Sequence, residues 1–160
     1  MSSETRLHLS DVVEGDTLPP LSVDVTATTV VLGALATRDW RPMHHDYDFA
    51  VNRNGVKNIF LNTPNQAAWF ERYVTDWTGP KGRLGRMKFR MKGSVFPEDT
   101  MTFTATVQSV GTDGAGCGWV ELLVALHVGD VLKTDCSVRV AVPASADDNP
   151  WSRTGDQWKP

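Results

Sequence analysis

Cysteine is scarce in this sequence: Cys117 and Cys136 are the only two, and neither sits in a CxxC pair or a Cys/His cluster of metal-site spacing. A disulfide-stapled or zinc-ribbon domain is thereby excluded, and both residues are read as free thiols buried in strands. Long apolar runs are missing too. None approaches the roughly 18 to 20 residues that span a bilayer, and Met1 to Arg6 lack the basic-then-apolar pattern of a signal peptide. The expectation is a cytoplasmic protein with no membrane partner. An excess of basic charge is absent as well: the formal net charge is −3, which leaves no broad attraction for nucleic acid. No internal repeat is evident, so solenoids and propellers fall away.

What remains is an ordinary globular composition. With 41% hydrophobic and 22% charged residues the chain is too apolar to stay disordered, and 160 residues suffice for one core. One domain is expected over residues 1–142, followed by a tail over residues 143–160. That tail is rich in Asp, Ser and Pro yet carries Trp151 and Trp158, which a purely solvated tail would disfavour. It is expected to pack on its own domain or on a partner.

Periodicity orders the rest. Residues 1–24 read as an entry strand and a turn around Pro19 and Pro20. Val30, Val31, Ala34 and Leu35 fall at helical spacing behind threonines able to cap, which predicts a short helix over 26–36. Residues 39–55 show no clean period and read as a long loop with one helical turn near 47–51. Asn62-Thr63-Pro64 is a helix start, an amide cap followed by a proline whose missing N–H costs nothing in the first turn. That helix runs to about Trp77 before Gly79-Pro80, and its apolar residues wrap most of its circumference, which predicts burial on all sides.

Beyond it everything alternates: Met87, Phe89 and Met91 with Arg86, Lys88 and Arg90, then Met101, Phe103, Ala105 and Val107 with polar residues. Two further alternating runs meet at Gly129-Asp130, a hairpin turn. One buried helix followed by long antiparallel strands implies an α+β fold, a single antiparallel sheet wrapped around a central helix in the hot-dog arrangement.

The densest chemical signal is Arg38-Asp39-Trp40-Arg41-Pro42-Met43-His44-His45-Asp46, continuing to Ala50. A carboxylate and an imidazole five residues apart around a proline can converge on one water, each able to exchange a proton near neutral pH. Two other readings stand beside this one. His44, His45, Asp46 and Asp48 offer nitrogen and oxygen ligands, although adjacent histidines in extended backbone point apart and no further His/Cys group appears. A loop of solvated charges with one structural histidine is the third.

These residues resemble the signature of the MaoC-like (R)-specific enoyl-CoA hydratases, G-D-x-N-P-[IL]-H-x-D-x-x-x-A, matched here by Asp39, Pro42, His44, Asp46 and Ala50. The resemblance implies that Asp39 and His44 form the catalytic acid/base pair, that His45 is variable and that Asp46 orients. Arg38 stands where the family has Gly, and Arg41 where it has Asn. The family's His-Gly pair before the central helix is replaced by the stretch from Ile59 to Pro64. The words Ala-Thr-Arg-Asp, His-His-Asp, Ile-Phe-Leu-Asn and Arg-Tyr-Val-Thr-Asp-Trp-Thr-Gly-Pro are similar to one subgroup. It is the small subunit of the heteromeric actinobacterial hydratase acting on steroid side chains.

The resemblance further implies a trans-2-enoyl-CoA substrate, with a bulky, steroid-derived acyl group and CoA present only as part of that substrate. No cofactor and no metal are expected. Backbone N–H groups near Asn62 and Thr63, at the positive end of the central helix, would hold the thioester carbonyl. Arg41 is a candidate substrate contact, and the cationic face of Arg86, Lys88, Arg90 and Lys92, joined by Lys81 and Arg83, is a candidate for the CoA phosphates at a protein edge; a solvated, edge-protecting strand is the alternative for that face. A dimer of folds is expected, either a homodimer or a heteromer with a second MaoC-like subunit. The rival functions are an acyl-CoA thioesterase and a non-catalytic subunit that shapes its partner's site.

Overall fold

A computed structural model describes residues 7–160, and its helices begin where the capping residues stand. Met1 to Arg6, read above for a targeting signal and as the start of the entry segment, lie outside the described residues. Strand β1 (Leu21–Asp24) follows Pro19-Pro20 rather than preceding it. Helix α1 (Ala27–Ala36) starts from Thr26, whose hydroxyl accepts from the Thr29 backbone N–H at 3.1 Å. Helix α2 (Tyr47–Asn52) falls on the helical turn expected near 47–51, and a 3₁₀ turn (Pro42–His44) precedes it within the stretch expected to be loop. Asp46 caps α2 by accepting from the Phe49 N–H at 3.0 Å, so its role is to build the turn.

Helix α3 (Thr63–Thr78) opens on Asn62 and closes at Gly79, whose φ of 71° lies in the region glycine tolerates at no steric cost. Four long strands follow: β2 (Arg83–Met91), β3 (Thr100–Thr112), β4 (Gly118–Val128) and β5 (Val131–Ala141). The sheet is antiparallel throughout, in the order β1-β3-β4-β5-β2, and Gly129 (φ 55°) makes the β4–β5 turn.

The core lies between α3 and the inner face of the sheet. Phe70 is fully buried and meets Phe89 and Phe103 edge-on, at 5.3 and 5.1 Å between ring centroids. Truncating such a residue typically costs about 3–5 kcal/mol, so this cluster holds helix and sheet together. The all-round burial expected for α3 is not what is found. Phe70, Tyr73 and Val74 are buried, Trp69 and Trp77 half-buried, and Ala68 and Arg72 exposed. The helix lies on one layer, and α1 crosses only its first turns. There Gly33 makes room for the Asn65 side chain: a Cβ at that position would sit 1.9 Å from its amide nitrogen.

The tail folds back on its own domain. The Trp158 ring lies 4.9 Å from that of Trp119, and the Arg83 guanidinium sits 3.7 Å from the Trp158 centroid. Arg83 donates to the carbonyls of Pro150 and Arg153, and Lys81 to those of Ala146 and Asp148. These two cations therefore fasten the tail and do not extend the basic face of β2. Cys117 and Cys136 are buried free thiols. Among the described residues no helix is long and apolar enough to cross a membrane.

Candidate functional site

Asp39 and His44 reach the same place by two different routes. Asp39 follows the end of α1, where Arg38 takes φ 54° to reverse the chain. That is a left-handed conformation disfavoured by about 1 kcal/mol for a residue with a side chain, which gives the family's glycine at this position a physical reason. His44 ends the 3₁₀ turn begun by Pro42, and it is 3% exposed. Its Nδ1–H donates to the Phe60 carbonyl at 2.7 Å, since a carbonyl can only accept. With Nδ1 so engaged, Nε2 is the ring nitrogen that faces Asp39 Oδ2, at 3.5 Å.

Asp39 is held by more than the histidine. Its Oδ2 accepts from the Asn62 side-chain amide at 3.0 Å, and its Oδ1 accepts from the Arg41 backbone N–H at 3.3 Å. The Arg41 Nε stands 3.8 Å from the same Oδ1. Burial alone would push the carboxyl up. The Asn62 and Arg41 hydrogen bonds, with the His44 and Arg41 charges, outweigh it and leave Asp39 below the usual carboxylate value. It is therefore an anion at neutral pH.

Both side chains line a cleft of about 520 Å³ at the N-terminal end of α3, shared with Arg41, Asn62, Thr63 and Gln66. Pro64 has no N–H, and the Asn65 N–H donates to Asn62 Oδ1 at 3.1 Å. The N–H groups of Asn62 and Thr63 have no acceptor among the described residues and are the donors this helix end has free. Met91, Gly93 and Ser94 close the opposite wall.

Of the candidate residues, the structure brings together Asp39, His44, Arg41, Asn62 and Thr63. It does not bring Arg86 and Arg90 to them. On β2 these two alternate with Met87, Phe89 and Met91, and the methionines and Phe89 face the core and the cleft, so the arginines stand exposed on the outer face of the sheet. His45 turns away, its Nε2 3.3 Å from the Trp40 carbonyl, and among the described residues no three His, Cys, Asp or Glu side chains are placed to hold a metal ion.

Three contributors carry no signal of their own in the sequence. The Phe60 carbonyl that orients His44 is backbone, and any residue could supply it. Thr37, whose Oγ1 accepts the other Asn62 amide hydrogen at 2.8 Å, reads only as the end of a helix. Gln66 is 1% exposed and its Oε1 accepts from Thr134 at 2.9 Å, a pairing across 68 residues.

No protein-family model matches the chain. A curated relative, the 3-oxo-4,17-pregnadiene-20-carboxyl-CoA hydratase beta subunit of Mycobacterium tuberculosis, is 40% identical over 98 residues, which are 61% of this chain and 75% of that protein. The chain belongs to the MaoC-like hydratase family. Among solved structures, the ChsH1-ChsH2 complex of M. tuberculosis matches with a TM-score of 0.75 and 33% identity, over 81% of this chain and 98% of that one. The (R)-hydratase of A. caviae involved in PHA biosynthesis matches with a TM-score of 0.73 and 20% identity, over 82% and 98% of the two chains. The last shares the fold, a single hot-dog sheet around its helix.

Proposed function

We propose that this chain is a hydro-lyase that adds water across the 2,3 double bond of a trans-2-enoyl-CoA thioester, with Asp39 and His44 as its acid/base pair. The observation that carries the reading is the 3.5 Å approach of Asp39 Oδ2 to His44 Nε2 inside a cleft at the free end of α3. One water held between these atoms gives a proton to Asp39 while its oxygen bonds to C3. The π electrons move onto the thioester carbonyl, whose developing charge is met by the N–H groups of Asn62 and Thr63. One such donor is worth about 3 kcal/mol in comparable sites. The pair then returns the proton to C2, and water has been added with no other reactant. His44, held by Phe60, shares that water through Nε2 and helps return the proton to C2. CoA enters as part of the substrate, with Arg41 at the cleft as a cation for its polar arm, and the chemistry calls for no cofactor or metal.

The acyl group we propose is bulky and steroid-derived, because the M. tuberculosis relative is named for a pregnadiene carboxyl-CoA. A second MaoC-like subunit is proposed as partner, since that relative is a beta subunit and the similar structure is a complex of two proteins. An apolar groove between α1 and α3, lined by Leu32, Ala36, Ala68 and Trp69, supports a covered surface beside the site.

The test is to follow the ultraviolet absorbance of a trans-2-enoyl-CoA with the chain alone, then with a second MaoC-like subunit added. The expected result is loss of the enoyl absorbance with formation of a 3-hydroxyacyl-CoA. Release of free CoA thiol would instead identify a thioesterase, and an unchanged spectrum in both assays would mark a non-catalytic subunit.

A further inference from the structure

Asn62 makes more contacts at the site than its position in the chain requires. Its Oδ1 accepts from the Asn65 N–H and so caps α3, while its Nδ2 donates to two oxygens, Asp39 Oδ2 at 3.0 Å and Thr37 Oγ1 at 2.8 Å. The orientation of the amide is not a matter of choice. The Asn65 N–H needs an acceptor, and the Thr37 hydroxyl already spends its hydrogen on the Gly33 carbonyl at 2.7 Å, so the two oxygens facing Nδ2 can only accept. At 2% exposure the side chain has no freedom to exchange these partners for water.

We infer that Asn62 is the positioning residue of this site. One amide fixes the Asp39 carboxylate relative to the end of α3, so that the group taking the water's proton and the backbone donors receiving the carbonyl charge are held in one frame. An aspartate on a turn at the end of α1 and a helix start 23 residues later have no backbone connection that would set their separation. Asn62 supplies it, and through Thr37 it ties both to the last turn of α1. The amide leaves Oδ2 pointing toward His44 Nε2 and prevents the carboxylate from rotating onto the Arg41 guanidinium. This inference rests on the proposed roles of Asp39 and His44.

The test uses the full chain, in the assembly in which the wild type hydrates enoyl-CoA. Asn62→Ser keeps a capping oxygen and removes both donors; Asn62→Asp keeps the cap and places a second carboxylate beside the first. Each is expected to lower kcat by about 10- to 100-fold in the folded chain, as misplacement of a reacting group does, with KM within about threefold. The acid limb of the kcat/KM profile should move to higher pH, because the carboxylate loses a donor that favoured its ionised form. The charged and titratable groups facing Asp39 are His44 and Arg41, and neither variant touches them. A purely structural role would lower the thermal midpoint without moving that limb. Should Asn62→Ser fail to fold, Asn62→Asp carries the same readout. Unchanged kcat and an unmoved limb, in a chain that Asp39→Asn inactivates, overturn the positioning role and leave the pair standing. Turnover retained in Asp39→Asn removes both.

Discussion

Tyr73 packs its ring against Phe103, 5.9 Å between centroids, and is 4% exposed, yet its hydroxyl finds no partner among the described residues. A buried hydroxyl without a hydrogen bond costs about 1–3 kcal/mol, so Tyr73→Phe should unfold at equal or higher urea at neutral pH, by up to about 1 kcal/mol. Burial also pushes the phenol up to about 12 from its ordinary 10. The folded chain therefore keeps its proton where the unfolded chain gives it up: the stability is complete below pH 10 and drains as pH rises toward 12, by about 3 kcal/mol for a shift of this size. Tyr73→Phe should flatten this part of the alkaline loss in urea titrations. The loss that starts near pH 9 persists, because burial pushes the Cys136 thiol up to about 12 as well. At this scale Asp39 and His44 could be named from five residues around Pro42. The bonds that hold them could not, since Phe60 acts through its carbonyl and the Asn62 side chain reaches Asp39 across 23 residues. Arg86 and Arg90 stand outside the cleft, because alternation tells which residues share a face, not which face the cleft is on.

Among the elements, those with a strong period or a recognisable cap were legible. Asn62 and Pro64 mark the start of α3, Gly79 its end, and Gly129 the last hairpin. The helical turn near 47–51 was legible too, and α2 occupies it, whereas the 3₁₀ turn over Pro42–His44 was not, being too short to show a period. The two-sided character of α3 was also hidden, since Ala68 and Trp69 look apolar whether a neighbour covers them or not. The tail segment offers its own test. Arg83 links it to β2 by two carbonyl hydrogen bonds and a stacked Trp158 ring. Arg83→Ala should cost about 1–3 kcal/mol and let a protease clip the chain beyond residue 142, whereas the wild type resists. Arg83→Lys should not restore resistance, because an ammonium lacks the planar fork that stacks on the ring while donating to two oxygens.

Over the whole molecule, the sheet delivers two distant loops to one end of one helix. The chain turns at Arg38 to present Asp39 and at Pro42 to present His44, and Met91, Gly93 and Ser94 line the same cleft where β2 ends. Sequence alternation foresaw the sheet and its helix; it could not foresee that the tail would cover Trp119 and leave the cleft end open, because that depends on contacts across about 70 residues. If the two groups act as a unit on one water, removing either removes the whole effect. The decisive measurement is therefore a double-mutant cycle of enoyl-CoA hydration with Asp39→Asn, His44→Ala and the combined variant. The account predicts that each single change abolishes turnover to the level of the double variant while the chain stays folded. Turnover retained in both single variants would contradict it.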